Sequence, residues 1–339
     1  MGKPCVLLRE SPLKNLHGDR LVHCCRSRAP SLPSPPVCPA PVGLVLCLSG
    51  CPPLCLSRGT TPHGPKMTTL SDLTHAAPQE QRFLVLFDFD ETIINVSSDD
   101  AVVCALPGQR LPDWLKNCFR EGHYNEHMQK VLAYMAEQGV SEDGIRSMLE
   151  KIPPAPGLLN LFQYLQSNQQ DFELLVVSDA NMYFIETWLE HAGVRPLFRK
   201  IFTNPASFDA TGQLVLLPFH SHSCSRCPDN MCKQVIVQEY LAYRQKERGG
   251  APYQRVFYIG DGANDVCPSI ALGPRDTAFP RRDFPMHRLL LGMQQSQAAK
   301  FKANVVPWAS GEDIVDYLKK IMKERRDVCN IGDERVEQI

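Results

Sequence analysis

The sequence feature that most constrains the fold is an apolar run that leads directly into two carboxylates. The run covers residues 83–87, Asp88 and Asp90 follow it one residue apart, and the hydroxyl of Thr92 comes next. Such a run is typical of a parallel strand covered on both faces, and ligands of open α/β sheets gather where these strands end. Two carboxylates this close would repel each other in a dry site, so the pattern predicts a bound cation, typically Mg²⁺.

The composition is that of an ordinary globular chain. Its 339 residues are 43% hydrophobic and 22% charged, and the formal net charge is -1. This balance has no basic excess for nucleic acid, and no run reaches the roughly 18 apolar residues of a membrane span. We therefore expect no nucleic-acid partner and no membrane span, and, without a credible signal or anchor, a cytoplasmic location.

Residues 1–66 differ from the rest of the chain. They contain 12 of the 28 prolines and 7 of the 14 cysteines, with eight Lys or Arg against two acidic residues. Proline at this density prevents helices and sheet ladders, so the segment is predicted to be a disordered Pro/Cys-rich extension that activity does not need. Met67 is a second candidate start of translation.

From Phe83 onward, strand-like and helix-like segments alternate. This alternation predicts an α/β fold with a Rossmann-like parallel sheet and crossover helices, built from residues 67–96 and 154–325. Residues 97–153 show only helical periodicity, which predicts a small all-helical cap inserted after the first catalytic strand and able to exclude water from the site. Residues 326–339 are expected to form a polar C-terminal tail.

Polar residues also follow two later apolar runs and open one helix. Ser178 follows the run 173–177, Asp261 and Asp265 follow the run 255–259, and Lys233 begins a helix predicted to reach residue 245. Strand ends of a parallel sheet meet at one edge, so these side chains should join Asp88 in a phosphoryl-transfer site. Ser178 and Lys233 would bind phosphoryl oxygens, and Asp265 would orient Lys233 or a water.

The roles of the first two acids follow from the needs of phosphomonoester hydrolysis. Asp88 is the predicted nucleophile, which takes the phosphoryl group as an aspartyl phosphate. Asp90 is the predicted acid for the leaving alkoxide and base for the water that follows. Mg²⁺ held by Asp88, Asp261 and a backbone carbonyl, that of Asp90, would offset the charge on the transferring oxygens.

The set of motifs resembles the haloacid-dehalogenase-like phosphatase superfamily. Its four motifs occur in order, as an Asp-x-Asp-x-Thr sequence at 88–92, Ser178, Lys233 and a Gly-Asp-Gly-x-x-Asp sequence at 260–265. Glu91 departs from the glycine that is frequent at its position in the superfamily, which leaves the branch open but not the chemistry. The resemblance implies a HAD-like core and a Mg²⁺-dependent phosphatase.

Several segments look more specifically like the phosphoethanolamine/phosphocholine phosphatase family: residues 88–100, 107–112, 178–181, 220–233 and 260–268. That resemblance implies a small phosphomonoester with a cationic head group, contacted by Asp99 and Asp179, and adds mineralising (matrix) vesicles as an alternative location linked to biomineralization. Pyridoxal-5-phosphate phosphatases share nearly all these motifs, so pyridoxal phosphate is the alternative substrate. Glu91 and the 107–112 segment favour the first family.

Simpler interpretations exist for single residues. Ser178 or Asp265 could cap the following helix, and Lys233 alone would be an ordinary solvated lysine. Arg281 and Arg282 are expected in a solvated loop. A catalytically silent binding protein of the same fold is a further alternative, which the complete set of polar residues disfavours.

A cluster of cysteines and histidines precedes the predicted helix at residue 233. It consists of His220, His222, Cys224, Cys227 and Cys232. These residues could bind zinc, or two cysteines could form a disulfide. A distant second pair of cysteines is missing from the pattern, so ordinary thiols that organise the loop are the favoured interpretation.

Overall fold

The computed structural model describes residues 83–295 and 301–336. The predictions for residues 1–66 lie outside this range. No helix within these two ranges combines the length and the apolar character needed to cross a bilayer.

The described residues form eight strands. A six-stranded sheet has the order β3-β2-β1-β6-β7-β8, and β4 pairs with β5 in a separate hairpin. Every neighbouring pair in the large sheet is parallel, which confirms the predicted α/β class. The strands are β1 Phe83–Phe87, β2 Phe172–Asn181, β3 Phe198–Asn204, β4 Ala206–Phe208, β5 Leu214–Leu216, β6 Arg255–Gly260, β7 Thr277–Pro280 and β8 Asn304–Val305.

Ten α-helices accompany these strands in the described ranges. Four of them, α1 to α4, lie between the first strand and residue 153, within the segment predicted as a cap. The helices are α1 Ser98–Val103, α2 Asp113–Lys116, α3 Tyr124–Glu137, α4 Glu142–Leu149, α5 Leu158–Ser167, α6 Met182–His191, α7 Lys233–Glu247, α8 Val266–Ile270, α9 Pro285–Gln295 and α10 Gly311–Val336.

The central strand β1 is buried on both faces because helices cover both sides of the sheet. Phe83, Val85 and Phe87 belong to one hydrophobic cluster, which includes residues of α5, α6 and α10. Leu84 and Leu86 point to the opposite face and pack in a second cluster with residues of α7 and α9. Side chains alternate between the faces of a strand, so burial on both faces explains why the sequence of β1 is continuously apolar.

The two ends of the helical segment lie side by side. The backbone N–H of Asn95 donates to the carbonyl of Pro153, and that of Ala155 donates to the carbonyl of Ile93, each at 2.9 Å. The segment 97–153 therefore leaves and re-enters the core at one place, a geometry that fits an insertion. Its action as a lid stays a prediction.

Some elements had no counterpart in the sequence analysis. The turn at residues 209–212 joins β4 to β5 in the separate hairpin, and residues 200–203 belong to β3 in the main sheet. The strand β7 and the helix α9 were not predicted from the sequence, and α10 extends to Val336, into the segment from residue 326 onward that was expected to form a polar tail. β7 is only four residues long and ends in Pro280, so it has too little pattern to identify it.

Candidate active site

The carboxylates of Asp88, Asp261 and Asp265 meet at the carboxyl end of the sheet. Phe87 of β1 is opposite Ile259 of β6, so the chain leaves both strands at the same level. The backbone N–H of Asp88 continues the ladder with a 2.9 Å bond to the carbonyl of Ile259. Carboxylate oxygens of the three aspartates lie within 4.8 Å of one another, and all three side chains are buried.

Lys233 is the cation of this acidic group. It begins α7 and is 1% exposed. Its Nζ lies 2.9 Å from Asp88 Oδ1 and 2.8 Å from Asp265 Oδ1. Burial alone lowers the pKa of Lys233, but the negative charges of Asp265 and Asp88 outweigh burial and hold the pKa well above its usual value. The ammonium is therefore charged and placed beside the predicted nucleophile.

Asp265 organises the loop that follows β6. Its Oδ1 accepts hydrogen bonds from Lys233 and, at 2.7 Å, from the hydroxyl of Tyr258. Its Oδ2 accepts from the backbone N–H groups of Asp261 at 3.1 Å and Gly262 at 2.9 Å. Burial, followed by the charge of Asp88, raises the pKa of Asp265 to about 6. A Cβ on Gly260 would lie 2.5 Å from Asp265 Oδ2, so glycine is required for this close approach.

Asp90 faces the start of the helical segment. It is 6% exposed, and its Oδ1 accepts a 2.7 Å hydrogen bond from the backbone N–H of Ser98 at the start of α1. Thr92 on the same loop donates to Asp261 Oδ1 at 3.2 Å. Asp99 follows Ser98 in the first turn of α1 and is half-buried. The helical segment is thus connected to the site through Asp90, with Asp99 next to that connection.

Ser178 and Asp179 lie in an irregular part of β2. The pairing of β2 with β3 shifts register between Val177 and Asn181, so Ser178 lies inside the strand's limits rather than after its end. The side chain of Ser178 is fully buried, and its Oγ accepts from the N–H of Ala180 at 3.3 Å. A bulge of this kind re-aims side chains at the end of a sheet.

Two asparagines that the sequence did not single out support Asp179. Asn264 donates from Nδ2 to Asp179 Oδ2 at 2.9 Å. Asn204 donates to the carbonyls of Asp179 and Ala180, each at 2.8 Å. Asn264 lies within the 260–265 motif, and this position could have marked it as a site residue from the sequence. Asn204 ends β3, whose mixed sequence gave no signal for it.

Arg281 corrects the expectation of a solvated loop. Its side chain is buried, with its guanidinium 4.5 Å from the ring centre of Phe284 and 5.5 Å from that of Trp308. It donates to the backbone carbonyl of Glu91 and to the side-chain oxygen of Asn95. Glu91 has φ of 53°, in the left-handed region that favours glycine. Arg281 therefore holds the loop that carries the first two catalytic candidates, while Arg282 is exposed as expected.

The donor set fits a hard divalent cation. Four buried carboxylates, those of Asp88, Asp90, Asp261 and Asp265, surround one lysine ammonium that contacts two of them. Buried oxygen donors with excess negative charge are the ligands that Mg²⁺ takes in proteins. Both oxygens of Asp265 already accept hydrogen bonds, so Asp88 and Asp261 are the better placed side-chain ligands.

Comparison with known proteins gives the family. The model of a family described as "Putative Phosphatase" matches residues 83–322, which is most of the chain. The chain belongs to this phosphatase family. Over 250 residues the phosphatase is 50% identical to the phosphoethanolamine/phosphocholine phosphatase of Gallus gallus, covering 74% of this chain and 92% of the relative.

Two human relatives extend the comparison. The phosphatase is 45% identical over 280 residues to the phosphoethanolamine/phosphocholine phosphatase of Homo sapiens, covering 81% of this chain and 99% of the relative. It is 37% identical over 243 residues to a pyridoxal phosphate phosphatase of Homo sapiens, covering 72% of this chain and all of the relative. The predicted family resemblance and phosphatase class are confirmed.

Proposed function

We propose that this phosphatase hydrolyses small phosphomonoesters in the presence of Mg²⁺ through an aspartyl-phosphate intermediate on Asp88. The observation that carries the proposal is the buried contact of Asp88 Oδ1 with Lys233 Nζ at 2.9 Å, beside the carboxylates of Asp261 and Asp265. A nucleophilic carboxylate needs neighbouring positive charge when it approaches a phosphate dianion, and this arrangement supplies it.

The first chemical step transfers the phosphoryl group to the enzyme. The bond between phosphorus and a carboxylate oxygen of Asp88 forms as the ester P–O bond breaks, and Asp90 gives its proton to the departing alkoxide. The Ser98 N–H holds one oxygen of Asp90, which fixes the direction of its carboxyl group. Lys233 and Ser178 bind the phosphoryl oxygens.

The second step releases inorganic phosphate. Water attacks phosphorus and passes a proton to Asp90, and the bond between phosphorus and the Asp88 oxygen breaks. Mg²⁺, held by Asp88, Asp261 and the backbone carbonyl of Asp90, would offset the negative charge on the phosphoryl oxygens. One carboxyl group thus serves as acid in the first step and as base in the second.

Phosphoethanolamine and phosphocholine are the proposed substrates. Two relatives at 45% and 50% identity carry these substrates in their names, whereas the human pyridoxal phosphate phosphatase is 37% identical. Asp179 follows the phosphate-binding candidate Ser178 and is oriented by Asn264. Asp179 and Asp99 would pair with the ammonium of the head group.

The mechanism is tested with Asp88→Asn, which keeps the shape of the side chain and removes its nucleophilic charge. We expect Mg²⁺-dependent release of phosphate from p-nitrophenyl phosphate to be abolished. Asp113→Asn is the matched control, because this aspartate side chain is 93% exposed on α2. Wild-type turnover in Asp88→Asn would refute the mechanism.

The head-group assignment needs a separate measurement. A charge-assisted hydrogen bond is worth about 1.5–3 kcal/mol, so Asp179→Asn or Asp99→Asn should lower kcat/KM for phosphoethanolamine by roughly 10- to 100-fold. The same variants should leave kcat/KM for p-nitrophenyl phosphate nearly unchanged, since its leaving group has no cation. A wild-type kcat/KM that is highest for pyridoxal phosphate would instead support the alternative substrate.

A further inference from the structure

Four cysteines converge next to the proposed catalytic site. Cys224, Cys227 and Cys232 lie on the loop before α7, and Cys267 lies in α8. The Sγ atoms of Cys224 and Cys267 are 3.7 Å apart, as are those of Cys227 and Cys232. All four Sγ atoms lie within 4.8 Å of one another. The fold therefore adds Cys267 to the three cysteines of the loop as a fourth sulfur.

The spacing of the sulfur atoms suits a single tetrahedral ion. A zinc–sulfur bond of about 2.3 Å places two sulfurs of a tetrahedral site roughly 3.8 Å apart, close to the 3.7 Å of the Cys224–Cys267 and Cys227–Cys232 pairs. A disulfide needs about 2.05 Å, and all four cysteines are free thiols. A cluster of four irons would hold each sulfur on a different iron and so further apart than ligands of one ion. The four sulfurs are therefore spaced closely enough to bind one ion.

The two nearby histidines shape the loop rather than compete for the ion. His222 Nδ1 accepts from the backbone N–H of Cys224 at 3.1 Å, and its Nε2 lies 2.7 Å from the carbonyl of Pro228 as donor. His220 Nε2 accepts from the backbone N–H of Cys232 at 3.0 Å. These bonds fix the cysteines that precede α7, as outer hydrogen bonds do around metal sites.

The charge around the cluster also suits four thiolates bound to a zinc ion. Four thiolates and Zn²⁺ carry a net charge of about −2, as follows from their formal charges. Arg226 Nη2 lies 3.7 Å from the sulfur of Cys267 and would offset part of this charge. Cys232 and Cys267 are buried, so the ion would be enclosed on the protein side.

We propose that Cys224, Cys227, Cys232 and Cys267 bind a structural Zn²⁺. The sequence favoured ordinary thiols, and the fourth sulfur that α8 contributes is the reason to propose an ion instead. Cys232 immediately precedes Lys233, and Cys267 comes two residues after Asp265. The ion would therefore tie together the two chain segments whose Lys233–Asp265 ion pair, at 2.8 Å, forms part of the active site.

The direct test is the metal content of the purified chain. We expect one equivalent of zinc per chain by inductively coupled plasma mass spectrometry after dialysis with Mg²⁺ in excess. Cys267→Ser and Cys224→Ser should lose most of this zinc, whereas Cys118, which is exposed and not a member of the cluster, provides the matched control Cys118→Ser. Replacement by Co²⁺ should give the intense visible absorption of a tetrahedral thiolate complex, and Cys267→Ser should lose it.

A second measurement on the wild type covers the case in which a variant does not fold. Titration with a mercurial reagent should release one zinc as the four clustered thiols react, detected with a zinc-sensitive dye. A zinc-selective chelator should lower Tm, and restoring zinc should recover it, with Mg²⁺ constant throughout. Zinc-free protein with free thiols, a disulfide seen by mass spectrometry, or iron in place of zinc would each overturn the proposal. Its readout is metal content, so it is independent of the proposed catalytic mechanism.

Discussion

Replacing Lys233 with methionine isolates the electrostatic role of its ammonium. Methionine keeps a long unbranched stem in the buried space and removes the charge. In the wild type, Nζ lies 2.9 Å from Asp88 Oδ1 and 2.8 Å from Asp265 Oδ1, and the side chain is almost fully buried. Lys233→Met would therefore leave a group of carboxylates without the cation that contacts them.

The expected cost follows from these distances. At an effective dielectric constant of about 20, unit charges roughly 2.9 Å apart attract by about 6 kcal/mol, part of which offsets the desolvation of the lysine. Removal of one partner from a buried ion pair typically costs about 3–5 kcal/mol. For a domain of this size, 1 kcal/mol corresponds to roughly 2–4 °C, so Tm without Mg²⁺ should fall by roughly 6–20 °C.

The sign of the Mg²⁺ response gives a second expectation. Lys233→Met makes the acidic site more negative, so Mg²⁺ should raise the Tm of the variant by more than it raises that of the wild type. Activity should fall as well, because the phosphoryl oxygens lose a positive partner.

Thermal unfolding followed by circular dichroism, with and without Mg²⁺, measures both effects. Tyr258→Phe is the matched control, because it removes an uncharged hydroxyl that donates to Asp265 Oδ1 at 2.7 Å and leaves every charge of the site in place. It should cost about 1.5–3 kcal/mol and leave the Mg²⁺ response close to wild type. A Lys233→Met variant within about 1 kcal/mol of wild type, with an unchanged Mg²⁺ response, would refute the assigned role of the ammonium.

Two further predictions concern local stability. Glu91→Gly should raise stability by about 1 kcal/mol because φ is 53° there, while Glu91→Ala, which keeps the left-handed penalty, should give no gain in urea unfolding. His127 is buried, neither ring nitrogen has a hydrogen-bond partner in the part of the chain that is described, and burial lowers its pKa. Because the folded state favours the neutral ring, the free energy of unfolding should be highest above the unfolded pKa of about 6.5. It should fall by at most about 1.4 kcal/mol per pH unit as the pH decreases from there towards the folded pKa. His127→Leu should flatten this dependence, the exposed-site control His191→Gln should not, and an equal slope in wild type and His127→Leu would contradict the assignment.

The central part of the fold was predictable because its physical signals are local. Five consecutive apolar residues in β1 predict burial on both faces of the sheet. The acids that follow them predict the edge of the sheet at which the functional side chains meet. The loop after β6 carries the same signal, so the neighbourhood of Asp88 and Asp261 followed from the parallel arrangement alone. Lys233 was found only because it belonged to an ordered set of motifs.

The residues that support the site were not predictable because their partners are distant in sequence. Arg281 is 190 residues from Glu91, whose carbonyl it binds, and nothing in the Arg281–Arg282 pair shows that the first is buried and the second exposed. Asn204, at the end of β3, supports Asp179 from 25 residues away in sequence. A polar side chain has no local pattern that identifies a carbonyl on another element as its partner.

The cysteine cluster and the acidic site share one structural cause. Cys232 and Lys233 are neighbours at the start of α7, yet the thiol faces the other sulfurs while the ammonium faces the carboxylates. At the start of α8, Asp265 likewise faces Lys233, whereas Cys267 faces the other sulfurs. Placing the start of α7 beside the loop after β6 therefore builds both sites at once. The local spacing of cysteines in the sequence identifies a group that ends at Cys232. Cys267 joins it as the fourth sulfur because the contact between Lys233 and Asp265 brings the two chain segments together.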